Sequence, residues 1–179
     1  MRNLAALLLP FALLACSSAP EKTESHYAAT ASNQFVAANY QAADVLLSQL
    51  SGRLVADKPL IVATVVNIDA LDQSSTLGRL VSEQVSTRLA QGGLRMLEMK
   101  LRNSVYMKRN MGEMMLTREV GEVASAHNAQ AVVVGSYAET SEAIFVNVKV
   151  VHPQTNQVMA ANDFVLAKDA VIRSMLMGR

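Results

Sequence analysis

Cysteine occurs once in this 179-residue sequence, tryptophan not at all, and histidine three times. Each scarcity argues against a class of function. A lone cysteine has no partner in the chain for a disulfide. His26, His127 and His152 lack the spacing of zinc ligands, and neither HExxH nor CxxC occurs. Aromatic residues make up 4%, which argues against stacking platforms for bases or sugars. A surplus of one charge is missing as well. Sixteen Lys and Arg face fifteen Asp and Glu, so there is no basic excess to neutralise phosphate and nucleic acid is not an expected partner. Gly92-Gly93 reads as a helix stop and matches no phosphate loop.

What is present begins at the first residue. Arg2 supplies a short positive start, Leu4 to Leu14 is apolar apart from Pro10, and small residues follow. This is the pattern of a secretory signal, and the apolar run is short for a bilayer-spanning anchor, the competing reading. The single cysteine stands at its exit. Leu13-Leu14-Ala15-Cys16 resembles a lipobox, which implies cleavage before Cys16, a thioether from its sulfur to diacylglycerol, and acylation of the new amine. One acyl chain holds a protein only marginally, at about 0.8 kcal/mol per buried methylene, so three chains hold firmly. Ser17, rather than an aspartate, follows the cysteine; by resemblance to sorting signals this favours the outer membrane. Loss of residues 1–15 removes Arg2 alone among the charges, so the mature chain is formally neutral.

Residues 16–32 are expected to be a flexible tether of Ser, Ala, Thr, Pro20 and mixed charges, with no apolar period to order it. Residues 33–179 read as one domain. Helical spacing over Asn33 to Leu54 puts Val36, Tyr40, Ala43, Leu47 and Leu50 on one face, with Ser32 or Asn33 as cap. The β-branched run Pro59 to Val66 reads as one strand buried on both faces. Leu77 to Gln91 is a helix capped by Ser75 or Thr76, with Leu77, Leu80, Val81, Val85 and Leu89 inward. A short strand at Leu94 to Leu97, a helix at Thr117 to His127, and strands at Ala131 to Tyr137, Ala143 to Val151 and Val158 to Leu166 follow, and a helix over Lys168 to Met177 closes the chain. In the strand from Ala143, Ile144, Val146, Val148 and Val150 point one way and Phe145, Asn147 and Lys149 the other, as one covered face requires. The expected fold class is α/β (α+β): a mixed sheet of about five strands, with helices mostly on one face.

Ten methionines are the compositional oddity, and Met96, Met99, Met107, Met111, Met114 and Met115 crowd one stretch between Lys and Arg. Three readings stand: adaptable core filling, an adaptable partner surface, or copper capture by thioethers. Asp69 and Asp72 follow a buried strand, where α/β folds often place ligand groups, although a polar loop leading to a helix cap explains them as well. No catalytic residue, metal site or cofactor is expected.

The segments KPLIVATVVNIDALDQSSTLGRLVSEQVSTRLAQGG, LTREVGEVASAHNAQAVVVGSY and FVNVKVVHPQTNQVMAA, together with the lipobox, resemble the FlgO lipoproteins of polar flagella. The wider fold resembles the N-terminal domain of TolB and the lipoproteins LpoB and CsgG. The resemblance implies a non-enzymatic outer-membrane lipoprotein, its domain facing the periplasm, that stabilises the flagellar basal body. Its implied partners are the outer membrane, basal-body ring proteins and further copies of itself in a ring. It transfers one functional position, the lipid anchor Cys16. The alternative it leaves open is a regulatory lipoprotein that activates a cell-wall synthase, as LpoB-like proteins do. If the methionine-rich stretch is a ring contact, charged substitutions at Met107 and Met111 should impair motility and ring assembly, scored by swimming and by electron microscopy of basal bodies.

Overall fold

A computed structural model describes residues 34–71, 74–97 and 121–177. The expected signal, tether and Cys16 lie outside these residues, as do Asp72 and Met99 through Met115. In chain order the elements are α1 (Phe35–Leu50), β1 (Leu60–Val62), β2 (Val66–Asn67), α2 (Thr76–Gln91), β3 (Met96–Leu97), a helix described over residues 121–126 (α3), β4 (Ala131–Glu139), β5 (Ala143–Val151), β6 (Val158–Ala167) and α4 (Ala170–Met177). Among the described residues no helix is long and apolar enough to cross a membrane.

The six strand segments form one mixed sheet in the order β3-β1-β4-β5-β6, with β2 also on β4. β1, β2 and β3 run parallel to their neighbours, and β4, β5 and β6 are antiparallel. β5 alternates as its sequence requires: Ile144, Val146, Val148 and Val150 are buried, while Phe145 and Lys149 are exposed. The inward rows join the large core with Leu46, Leu50, Leu77, Val81, Val85, Leu89 and Ile172 of α1, α2 and α4. A smaller cluster on the opposite face places Ala124 of α3 with Ile61 and Val132, and Val123 against them. Three helices therefore cover one face and α3 covers part of the other.

The run from Pro59 to Val66 is not one continuous strand. Leu60 to Val62 pair with Ala131 to Val133, and Val66 pairs with Ser136. Three residues thus face two, which is a bulge. The bulge turns the Val65 N–H out of the ladder, and Ser82 Oγ on α2 accepts it at 2.7 Å while donating to the Gly78 carbonyl at 2.9 Å. The buried Val65 side chain fills the space above Gly135, where a Cβ would lie 2.8 Å from Val65 Cγ2 and 2.8 Å from the Asn147 carbonyl oxygen. Gly135 itself sits in the middle of β4. Gly78 lies against the bulge from the helix side, and a Cβ there would overlap the Val65 carbonyl oxygen. The N-cap completes the knot: Ser75 Oγ accepts from Gly78 N at 3.1 Å and from the Tyr137 hydroxyl at 2.8 Å.

α1 and α2 lie side by side and run parallel, since Asn39 meets Gln84, Asp44 meets Arg88 and Leu47 meets Gly92 in ascending order. α2 ends as expected: Leu94 N reaches Leu89 O and Gly93 N, at a φ of 91°, reaches Ala90 O. α1 differs from its expected reading. It stops at Leu50, where Gly52 turns the chain at a φ of 71°, and its N-cap is Gln34 with no capping side-chain bond. Its buried stripe is Phe35, Asn39, Ala42, Ala43, Leu46 and Leu50, whereas Val36 is 45% exposed. The cause is Asn39, fully buried, with Nδ2 donating to Gln84 Oε1 at 2.7 Å. Among the described residues its Oδ1 has no partner. At the surface, Arg88 donates to Asp44 from Nε at 2.7 Å and from Nη2 at 3.1 Å. The hydrogen bond and charge of that carboxylate raise the guanidinium's pKa above its usual value, and the group stacks 5.8 Å from the Tyr40 ring.

Two predictions follow the knot. Gly78→Ala forces a Cβ into backbone and is expected to cost roughly 1–3 kcal/mol, more than Gly52→Ala, which meets nothing within 4 Å and carries only the left-handed penalty of about 1 kcal/mol. Ser82→Ala leaves the buried Val65 N–H without an acceptor and should cost about 1–3 kcal/mol, against about 1 kcal/mol for Tyr137→Phe. Urea unfolding midpoints of the four variants order these effects.

Candidate functional site

The polar groups singled out by sequence have structural employment. Asn67 Oδ1 accepts the Asp69 N–H at 2.9 Å, so Asp69 belongs to a side-chain-closed turn. His152 Nδ1 accepts from Gln154 N and Thr155 N, tying the turn between β5 and β6. His127 is exposed just past α3, and His26 lies outside the described residues. Among the described residues no group of three His, Cys, Asp or Glu is placed to hold a metal. The structure brings none of these together into a site. Of the methionine-rich stretch it describes Met96, which packs partly buried against the main core. Core filling is thus what this one methionine does.

A cleft of about 400 Å³ lies where α1 and α2 end, walled by Leu47, Leu50, Leu54 and Leu94 and rimmed by Lys58 and Arg95. Gln130 shapes its far wall, its amide accepting from Val55 N and donating to the Val55 and Lys58 carbonyls. These bonds close the loop between Val55 and Lys58 and occupy both amide atoms of Gln130.

The more distinctive surface is the part of the sheet face that, among the described residues, α3 does not cover. Register sets Ala138 beside Phe145 and Phe145 beside Val165. Ile68, whose N–H bonds to the Tyr137 carbonyl, extends the row at the β2 side. Ile68, Phe145 and Val165 are 54%, 52% and 55% exposed. Ala143 and Ala167, also paired, widen the patch. The next row is polar, with Asn147 Nδ2 donating to Asp163 Oδ1. At the top, Lys168 Nζ lies 2.6 Å from Glu139 and 2.9 Å from the Thr140 carbonyl, so that charge is neutralised locally. A contiguous apolar patch on one face of a small domain is the signature of a contact surface. Phe145, a large apolar residue on the outward side of the alternating strand β5, is the signal of this surface that the sequence carries.

β6 is also the edge of the sheet, and α1 closes half of it. Gln49 Nε2 donates to the Ala161 carbonyl at 2.9 Å and Gln49 Oε1 accepts the Ala161 N–H at 3.0 Å, as a neighbouring strand would. Arg53 donates to the Met159 carbonyl at 2.9 Å. Such blocking protects an edge from unwanted pairing.

Comparison with known proteins places this fold. The structure is similar to the LpoB C-terminal domain from Salmonella enterica, with 15% identity, a TM-score of 0.53, and coverage of 74% of this chain and 97% of that one. The LpoB C-terminal domain from Escherichia coli gives 13% identity, a TM-score of 0.54 and the same coverages. The solution structure of E. coli LpoB gives 13% identity and a TM-score of 0.51 over 93% of this chain and 82% of that one. At such identities the likeness is one of fold. No curated protein matches the chain. A family model described as FlgO protein matches residues 40–171. Since that span runs from the second turn of α1 into α4 and takes in the whole sheet, the chain belongs to the FlgO family.

Proposed function

We propose that this chain is a non-enzymatic outer-membrane lipoprotein that supports flagellar motility by stabilising the basal body where it passes the outer membrane. The observation that carries the reading is the FlgO match across residues 40–171. In this reading residues 1–15 are a cleaved lipoprotein signal, Cys16 carries the lipid, residues 16–32 are the tether, and the domain from residue 33 faces the periplasm. The lipid supplies attachment and the tether supplies reach. The domain supplies contact with ring proteins and with further copies of itself, and its bare apolar sheet face suits that task better than any cluster of reactive groups. The likeness to LpoB supports a shared fold and does not bring a synthase to this chain.

Fractionation of basal bodies from cells carrying the native protein or Cys16→Ala tests the proposal. The native protein should co-purify with basal bodies, and the variant should leave the membrane fraction and reduce swimming. Native protein spread evenly through the outer membrane, with normal swimming after deletion of the gene, would overturn the flagellar role and favour activation of a wall synthase.

A further inference from the structure

The half of the β6 edge that α1 leaves open has defined ends. Gln49 closes it at Ala161, and at the other end the strand stops at Ala167, whose carbonyl accepts from Asp169 N. Between these limits, residues 163, 165 and 167 turn their backbone groups away from β5, as the outward bonds of Ala161 establish by alternation. Among the described residues, no strand or side chain meets the backbone of Asp163 or Val165 on that side. Val165 is the midpoint of this free edge.

We infer that this edge pairs with the same edge of a second copy, antiparallel, about a twofold axis through Val165. Three observations choose this occupant. The first is length: a strand running antiparallel to itself about Val165 uses residues 163 to 167 of each copy and ends where Gln49 of each closes the edge. The second is charge. The axis sets Asp163 opposite Ala167 of the second copy, so the one exposed acid of this edge meets a methyl group and avoids its own image, whereas an axis at Asp163 would oppose like charges. The third is continuity. Residues directly opposite in antiparallel strands project to the same face, so Val165 meets Val165 and the row Ile68, Ala138, Phe145, Val165 continues into its mirror sequence across the second copy. Val165 and its mate exchange both backbone hydrogen bonds, and two small exposed patches become one apolar band across a single continuous sheet. The contact is isologous and closes on itself. It does not depend on the flagellar reading, and a ring would have to use other surfaces.

Cross-linking in cells tests it, with the full chain and Cys16 in place. The backbone spacing of a hydrogen-bonded antiparallel pair, about 5.5 Å, falls within the Cα range of a disulfide, about 4.4–6.8 Å. Val165→Cys should therefore give a covalent dimer under mild oxidation. Val158→Cys, of similar exposure at 50% but at the clasped end, should stay monomeric. The native chain run alongside separates a free Cys16 thiol from the new contact: a dimer without the added cysteine reports failure of the lipid-anchor reading and leaves the Val165 result to be scored against it. In detergent, light scattering should give the native protein twice the mass of one chain and Val165→Asp the mass of one, with unchanged circular dichroism. A maleimide-reactive Val165→Cys that yields no dimer, equal cross-linking at Val158→Cys, or a covalent product with a protein of different mass overturns the inference.

Discussion

The backbone N–H of Val65 is the group around which this domain is arranged. A parallel strand that slips by one residue against its neighbour leaves a donor outside the ladder, and a buried donor without an acceptor costs about 1–3 kcal/mol. The chain meets that constraint with Ser82 from the following helix. The acceptor can reach only if the helix axis comes close, hence no side chain at Gly78. The displaced Val65 side chain needs room on the sheet, hence no side chain at Gly135. The same helix start is bound to the sheet through Ser75 and Tyr137. The position of α2 is thereby fixed, and α1 and α4 pack beside it. Residues far apart in sequence are small or hydroxylated for one shared reason.

Much of this was legible before any coordinates. Alternation in β5 predicted its buried row residue by residue, because one covered face imposes period two. Ser75 or Thr76 and Gly92-Gly93 marked both ends of α2, with Ser75 the actual cap, because capping needs are local. The bulge was not legible. Val62, Ala63, Thr64, Val65 and Val66 carry continuous strand-forming side chains, and only the register of a strand some seventy residues away reveals the extra residue. α1 misled for a related reason. A buried asparagine breaks the apolar period on the true inner face, so the neighbouring face with Val36 and Tyr40 reads as the apolar one. Burial of Asn39 is decided by Gln84, 45 residues on, and no local pattern carries that information. The candidate surface was half legible. Alternation puts Phe145 on the outward side of β5, but its neighbours in the row come from β4, from β6 and from the residue that follows β2.

Under the proposed role, function in this domain rests on surfaces rather than on reactive groups. The FlgO match spans the whole sheet, and the LpoB likeness shows that the architecture tolerates wide change in sequence. What can vary on such a scaffold without disturbing the knot is the solvent face of β4, β5 and β6 and the free end of β6. The inward rows are committed to the core. The outward rows, with Phe145 and Val165 half exposed, are free to be shaped by whatever they touch. Under the proposed role, partner choice and fold stability would thus be carried by opposite sides of the same strands.

The clasp of Gln49 on Ala161 joins positions 112 residues apart, and it has a consequence for timing. A chain delivered across a membrane from its N-terminus presents α1 early, yet the strand that α1 grips is nearly the last to emerge. Until then α1 has neither β6 to hold nor a complete core to cover, and a sixteen-residue helix alone is marginal in water. Under the proposed lipoprotein reading, Cys16 and the residues after it would therefore meet processing enzymes while the domain behind them is still unfolded. On that reading, modification of the leading end and closure of the fold would be separate events, in that order, because the first helix must wait for the final strand.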